Sequence, residues 1–228
     1  SGCGMRPDSA SAQASRQPAD VQRSLAAFAR DGQAAQVLAG QAVGDGAVAL
    51  LFAGQGGVQC GAGRALAQHS PIFRTLLDET LAAAGPFWPD ELRRLLWDDD
   101  AAWHRVEVQP ALVVLQIALG RYWRAVGLEP RLLVGHSLGE YAAACLAGVL
   151  TVEDTLRLVC ARAQLLRDRC APGRMLAVLA PAADVRPLLE PWAGQVAIAA
   201  INGPRHTVLS GTAAALAALE PQCTARQW

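Results

Sequence analysis

The segment Gly135-His136-Ser137-Leu138-Gly139 constrains this chain more than any other, because it stands between the apolar run Leu132-Leu133-Val134 and the Ala-rich stretch Glu140 to Ala147. Strand, sharp turn and helix in that order predict a nucleophile elbow. Glycines on both sides of the serine let the backbone take a strained turn that lifts the hydroxyl clear of the sheet, at the positive end of the following helix. Ser137 is the first candidate nucleophile. Lipase-like hydrolases, acyltransferases and peptidases all use such an oxygen beside backbone N–H donors that hold a tetrahedral oxyanion.

The remaining pattern places this elbow in an α/β chain. Residues 1–46 read as a linker or lead-in with one short amphipathic helix, Asp20 to Arg30. The run Ala47 to Ala53 reads as a buried strand ending in the loop Gly54-Gln55-Gly56-Gly57. Helices are predicted over Gly63 to Ala84, Pro89 to Trp97 and Pro110 to Val126, and another starts at the capping-box spacing of Thr151 to Asp154 and runs to about Arg169. Beyond Pro172-Gly173 the order changes to strand (Met175 to Leu179), helix (Ala182 to Trp192), two strands (Val196 to Ile201, Thr207 to Ser210) and helix (Ala213 to Leu219). A split βαβ sandwich requires one more strand after that helix.

Composition narrows the partners. With 228 residues, 52% of them apolar, the chain can bury a substantial core, and its 20 basic and 20 acidic side chains balance. That balance gives no electrostatic reason to expect nucleic acid or an anionic membrane. Cys3, Cys60, Cys145, Cys160, Cys170 and Cys223 are scattered among mostly apolar neighbours, without a CxxC pair, and predict buried thiols in a reducing, cytoplasmic compartment rather than disulfides or zinc ligands. No stretch has the length of a membrane span or the pattern of a signal peptide. A start at Ser-Gly-Cys-Gly and a stop at Gln227-Trp228 read as a chain incomplete at both ends.

Two further residues carry candidate chemistry. Arg162 has Leu158, Val159, Leu165 and Leu166 one turn away, so its guanidinium needs a partner: a core salt bridge, a snorkelled route to solvent, or a substrate carboxylate held bidentately. Gln55 follows the first core strand, and such loops converge at the carboxyl edge of a doubly wound sheet, where its N–H could serve an oxyanion. The same loop lacks the last glycine of GxGxxG and the lysine of a P-loop.

Five segments together resemble one family. Phe52 to Gly56, Gln109 to Leu112, Gly135 to Tyr141, Cys160-Ala161-Arg162, and Asn202-Gly203-Pro204 through Val208 to Gly211 are similar, in order and spacing, to malonyl-CoA:acyl carrier protein transacylases, in particular the acyltransferase domains of modular polyketide synthases. The resemblance covers residues 47 to 228. It implies an α/β-hydrolase-like large subdomain (47–172) and a ferredoxin-like small subdomain (173–228), incomplete at the C-terminus, with the site in a cleft between them. By position it implies Ser137 as nucleophile, Arg162 on the malonyl carboxylate, the N–H groups of Gln55 and Leu138 as oxyanion hole, and Gln109 lining the pocket. Malonyl would pass from coenzyme A to the phosphopantetheine thiol of an acyl carrier protein in polyketide or fatty acid biosynthesis, with no bound cofactor or metal and with neighbouring synthase domains as partners. Leu138 beside the serine resembles malonyl-selective members. The base histidine implied by the family lies beyond the ferredoxin-like segment, and none of His69, His104, His136 or His206 occupies its position.

Two alternatives remain at this level. A serine hydrolase could use Ser137, then Asp154, Asp168 or Asp184, then His206. A non-catalytic docking fragment is the other, favoured by the missing base.

Overall fold

A computed structural model describes residues 9–13, 18–34, 37–41, 46–88, 92–101 and 105–228. Cys3 and His104 lie outside them, as do the first residues of the helix expected from Pro89. The chain packs as two compact units that divide between Cys160 and Ala161.

In the first unit, β1 (Ser9–Gln13) pairs antiparallel with β2 (Val37–Gln41), and α1 (Pro18–Asp31) lies between them in sequence. The lead-in thus contains a strand pair that its Ala, Gln and Ser content did not announce. Next come β3 (Val48–Phe52), α2 (Arg64–His69), α3 (Pro71–Ala84), α4 (Leu92–Trp97), α5 (Val108–Ala125), β4 (Pro130–Gly135) and α6 (Gly139–Leu146). The single helix expected over Gly63 to Ala84 is two. Pro71 cannot continue a helix from its N-terminal side, and the Ser70 hydroxyl accepts from the Phe73 N–H at 3.3 Å to start the second.

Helix α5 is the hub of this unit. Every residue from Val108 to Ala118 is buried, the pattern of a helix apolar on all sides and enclosed by others. Phe73 and Leu77 of α3 and Leu96 of α4 are fully buried in the same core. Gly120 lets α5 approach α6, since a Cβ there would lie 2.2 Å from a Leu146 methyl.

β3 and β4 pair in parallel, with Phe52 opposite Gly135. The sequence reads β3 as a buried strand, but Phe52 alone is buried and Leu51 is 76% exposed. The pair is two strands wide among the described residues, and Leu51, Leu132 and Val134 are exposed.

Helix α7 (Val152–Arg169) spans the division between the units, and Thr151 starts it as expected: its hydroxyl accepts from the Asp154 N–H at 3.0 Å and donates to the Asp154 carboxylate at 2.8 Å. The second unit continues with β5 (Arg174–Val178), α8 (Ala182–Leu189) and its 3-10 extension Glu190–Trp192, β6 (Val196–Gly203), β7 (His206–Gly211) and α9 (Ala213–Ala225). The three strands are antiparallel in the order β5-β7-β6, which is the first-third-second arrangement of a split βαβ sandwich. Leu176, Leu209 and Ile198 form one row across the sheet, packed with Val185 of α8 and Leu216 and Leu219 of α9. Met175 and Ile201 are exposed.

The sharpest steric demand falls at Gly139, where a Cβ would sit 2.1 Å from the Phe52 carbonyl oxygen. Gly139→Ala is expected to lower stability by at least ~2 kcal/mol, as forced overpacking does. Gly46→Ala, with nothing within 4 Å of the new methyl, is the control and should stay within about 0.5 kcal/mol of the parent. Denaturant unfolding of both variants checks this.

Candidate active site

Parallel pairing explains why two distant loops meet. Because β3 and β4 run in the same direction, their carboxyl ends lie side by side, and the Gln55 loop leaves one end as the elbow leaves the other. The His136 N–H donates to the Phe52 carbonyl at 3.0 Å. A Cβ on Gly54 would be 3.4 Å from the Ser137 Cβ and 3.3 Å from His136 Nδ1, so the two turns are in direct contact.

The elbow has the strain its motif predicts. Ser137 has φ 52°, in the left-handed region where a side chain costs about 1–3 kcal/mol unless its surroundings fix it. Two glycines fix it. A Cβ on Gly135 would lie 2.3 Å from the Glu140 backbone, and one on Gly139 would strike the end of β3. The serine is exposed and Leu138 is buried. In the turn that opens α6, the N–H groups of Gly139, Glu140 and Tyr141 donate to the carbonyls of His136, Ser137 and Leu138. The Leu138 N–H is not among these bonds, and it stands at the positive end of the helix.

Gln55 uses its side chain elsewhere. Its Nε2 donates to the Arg105 carbonyl at 2.8 Å, and its Oε1 accepts from Gln109 Nε2 at 2.9 Å. Gln109 is buried in the first turn of α5 and thereby ties the loop to the hub helix. Gln116, two turns further along the same face of α5, is not singled out by the sequence analysis. Its Nε2 donates to the Ala53 carbonyl at 2.7 Å, and the signal that marks it is an amide in the middle of an otherwise apolar helix.

Four of the five sequence-derived residues, Ser137, Leu138, Gln55 and Gln109, therefore belong to one unit, and the fifth, Arg162, belongs to the other. Arg162 is half-buried rather than enclosed by apolar neighbours. On α7 the buried stripe is Thr155, Leu156, Val159, Cys160 and Ala163, which puts Arg162 at its margin, while Leu158 and Leu165 are exposed. Spacing of one turn counts neighbours in sequence, not the direction each takes from the helix.

The hydrolase alternative loses its acid. The Asp154 carboxylate is bonded to Thr151 and Arg157. Asp168 is bonded to Arg167, which holds its carboxyl below the usual range. Asp184 lies exposed in the first turn of α8 and shares no hydrogen bond with His206 of β7.

Nor are the enclosed thiols nucleophiles. Cys145, Cys160 and Cys223 are buried and free as expected, but Cys60 is half-buried and Cys170, just past the end of α7, is exposed. Burial pushes the Cys160 thiol up from 9.0 to about 11. Burial also raises Cys145, against a smaller opposing effect of the Thr155 hydrogen bond and Arg121. A protonated, enclosed thiol does not attack a thioester.

The family model described as acyl transferase domain matches residues 49–228. The chain belongs to this family. Over 211 residues it is 42% identical to polyketide synthase GfsE of Streptomyces halstedii, a match that takes in 88% of the chain and 6% of that synthase. In three dimensions it is similar to the acyltransferase domain from the second module of the salinomycin polyketide synthase, with TM-score 0.85 and 33% identity over 97% of this chain and 52% of that one. The malonyl CoA-acyl carrier protein transacylase of Coxiella burnetii is also similar, with TM-score 0.69 and 30% identity over 79% of this chain and 58% of that one. The chain thus spans about half of the solved domains it matches and a small part of the synthase. These likenesses bear out the α/β acyltransferase fold expected from the motifs and set the esterase reading aside.

Because the unfolded Cys160 thiol ionises near 9.0 and the folded one near 11, the native state keeps a proton that the unfolded state has lost between those values. Stability should be unaffected by this group below pH 9 and fall as pH rises from 9 to about 11. Urea midpoints across that range should decline less steeply for Cys160→Ala than for the parent. Alkylation at pH 8 should label Cys170 before Cys160, which peptide mass mapping will read.

Proposed function

We propose that this domain transfers a malonyl-type acyl group from coenzyme A, through an ester on Ser137, to the phosphopantetheine thiol of an acyl carrier protein. The observation that carries the proposal is the strained Ser137, exposed at the end of a parallel strand pair with the Gln55 loop packed against it. A serine that serves only a turn has no need of a left-handed backbone conformation between two sterically obligatory glycines.

In the first half-reaction Ser137 Oγ attacks the thioester carbonyl, and its proton passes to a base and on to the departing coenzyme A thiolate. The carbonyl oxygen becomes an oxyanion that accepts from the Gln55 and Leu138 N–H groups. In the second, the phosphopantetheine thiol passes its proton to the base and attacks the seryl ester through the same oxyanion; the ester C–O bond breaks as the new thioester forms, and the proton goes to Ser137 Oγ. The family resemblance implies that this base is a histidine.

Arg162 gives the reading its substrate class. A guanidinium meets a malonyl carboxylate with two parallel N–H donors, and an acetyl group has no carboxylate oxygens to accept them, so the proposal includes discrimination against acetyl. Gln109 lines the pocket and braces Gln55. Leu138 favours malonyl over branched extender units. Among the described residues no helix is long and apolar enough to cross a membrane. The proposed setting is cytoplasmic, beside other synthase domains.

Intact-mass measurement after mixing with malonyl-CoA or acetyl-CoA tests this. A malonyl adduct should form and should be absent in Ser137→Ala. Arg162→Ala should reduce malonyl loading about a hundredfold, the loss of a charged hydrogen-bond pair, with little effect on acetyl. Equal loading of both acyl groups by the parent would overturn the carboxylate role, and an adduct surviving in Ser137→Ala would overturn the nucleophile.

A further inference from the structure

Gln116 is an expensive residue for its place. It is 6% exposed in the apolar middle of α5 and lines a cavity of about 220 Å³ with Leu50, Phe52, Val58, Leu119 and Trp123. Its Oε1 has no hydrogen-bond partner among the described residues. Leucine or methionine would suit those walls without leaving a buried acceptor unpaired, so packing does not explain the amide. Its other half does. Nε2 donates to the Ala53 carbonyl at 2.7 Å, and that bond fixes which end of the amide is the nitrogen, since the reverse assignment would set two acceptors against each other.

Ala53 is the last residue before the Gly54-Gln55 turn, and three contacts, two of them to its carbonyl, hold it in place. On one side Gly139 of the elbow packs against it, with 2.9 Å from an added Cβ to the Ala53 oxygen. On another, Gly57 closes back over Ala53, where a Cβ would lie 2.5 Å from the Ala53 methyl, and its N–H donates to the Gly54 carbonyl at 3.2 Å. The third contact is the Gln116 amide itself. Gln109 holds the Gln55 side chain from the same helix two turns earlier.

We propose that Gln116 is a positioning residue, one that orients the Gln55 N–H toward the oxyanion by clamping the Ala53 carbonyl to α5. Two glutamines of one rigid helix then set both ends of the short segment 53–55, one through main chain and one through side chain. The inference rests on the acyl-transfer reading for its purpose, whereas the clamp itself is independent of catalysis.

The test is amide hydrogen exchange on the full chain, comparing the parent with Gln116→Met and Gln116→Leu. Methionine keeps volume and removes the donor, and leucine removes it with a different apolar shape. Exchange at the Gly57 amide should quicken about tenfold in both, the ratio that one lost hydrogen bond of ordinary strength corresponds to, with residues 111–118 of α5 unchanged. For Gln116→Met the thermal midpoint should hold or rise, because a half-used buried amide is removed. An unchanged Gly57, or acceleration spread evenly over Gly57 and α5, would overturn the clamp, since a merely structural glutamine would loosen its own helix. Malonyl loading adds the second readout: kcat should fall in Gln116→Met with KM unchanged, as an orienting role requires. A fall in affinity with intact kcat would overturn the role. A parent that takes up no acyl group would count against the proposed function alone, with Gly57 exchange still deciding the clamp.

Discussion

The contact between the elbow and the end of β3 is the constraint on which the first unit depends. Gly135 and Gly139 let the chain fold back so closely that the α6 backbone touches the carbonyls of Phe52 and Ala53, with no side chain between them. Parallel pairing of β3 with β4 makes that meeting possible, and α5 supports it from beneath with Gln109 and Gln116. A left-handed serine is costly on its own. Here its cost is spread over a framework of strand pairing, two obligatory glycines and a helix buried from Val108 to Ala118, each of which has other reasons to form.

Much of this was legible in the sequence, because the elbow is a local device. Strand, turn and helix between Leu132 and Ala147 follow from apolar run, glycines and alanines, and the strand–helix order of the second unit follows from the same kind of alternation. Features that depend on what packs against what were less so. The exposure of Leu51, the half-burial of Arg162 and the clamp at Gln116 depend on the third dimension, where period and composition assign a face but not its cover. The break at Ser70-Pro71 was present in the letters and is decided by a proline without an N–H and a hydroxyl that caps.

The second unit shows how little sequence a small sandwich needs. One row of Leu176, Leu209 and Ile198, backed by residues of α8 and α9, defines a face, and the antiparallel order β5-β7-β6 follows from a hairpin and one crossover. Thr207, buried on β7, donates its hydroxyl to the Ala180 carbonyl at 2.9 Å and so ties the middle strand to the turn that opens α8.

The elbow is held by backbone meeting backbone, and this has a meaning for how such a domain can change. Side chains around Ser137, Leu138 among them, do not carry the strain; glycines and carbonyls do. Residues beside the turn are thereby free to drift without loss of its backbone geometry. A family can repaint the walls of a room whose frame stays fixed.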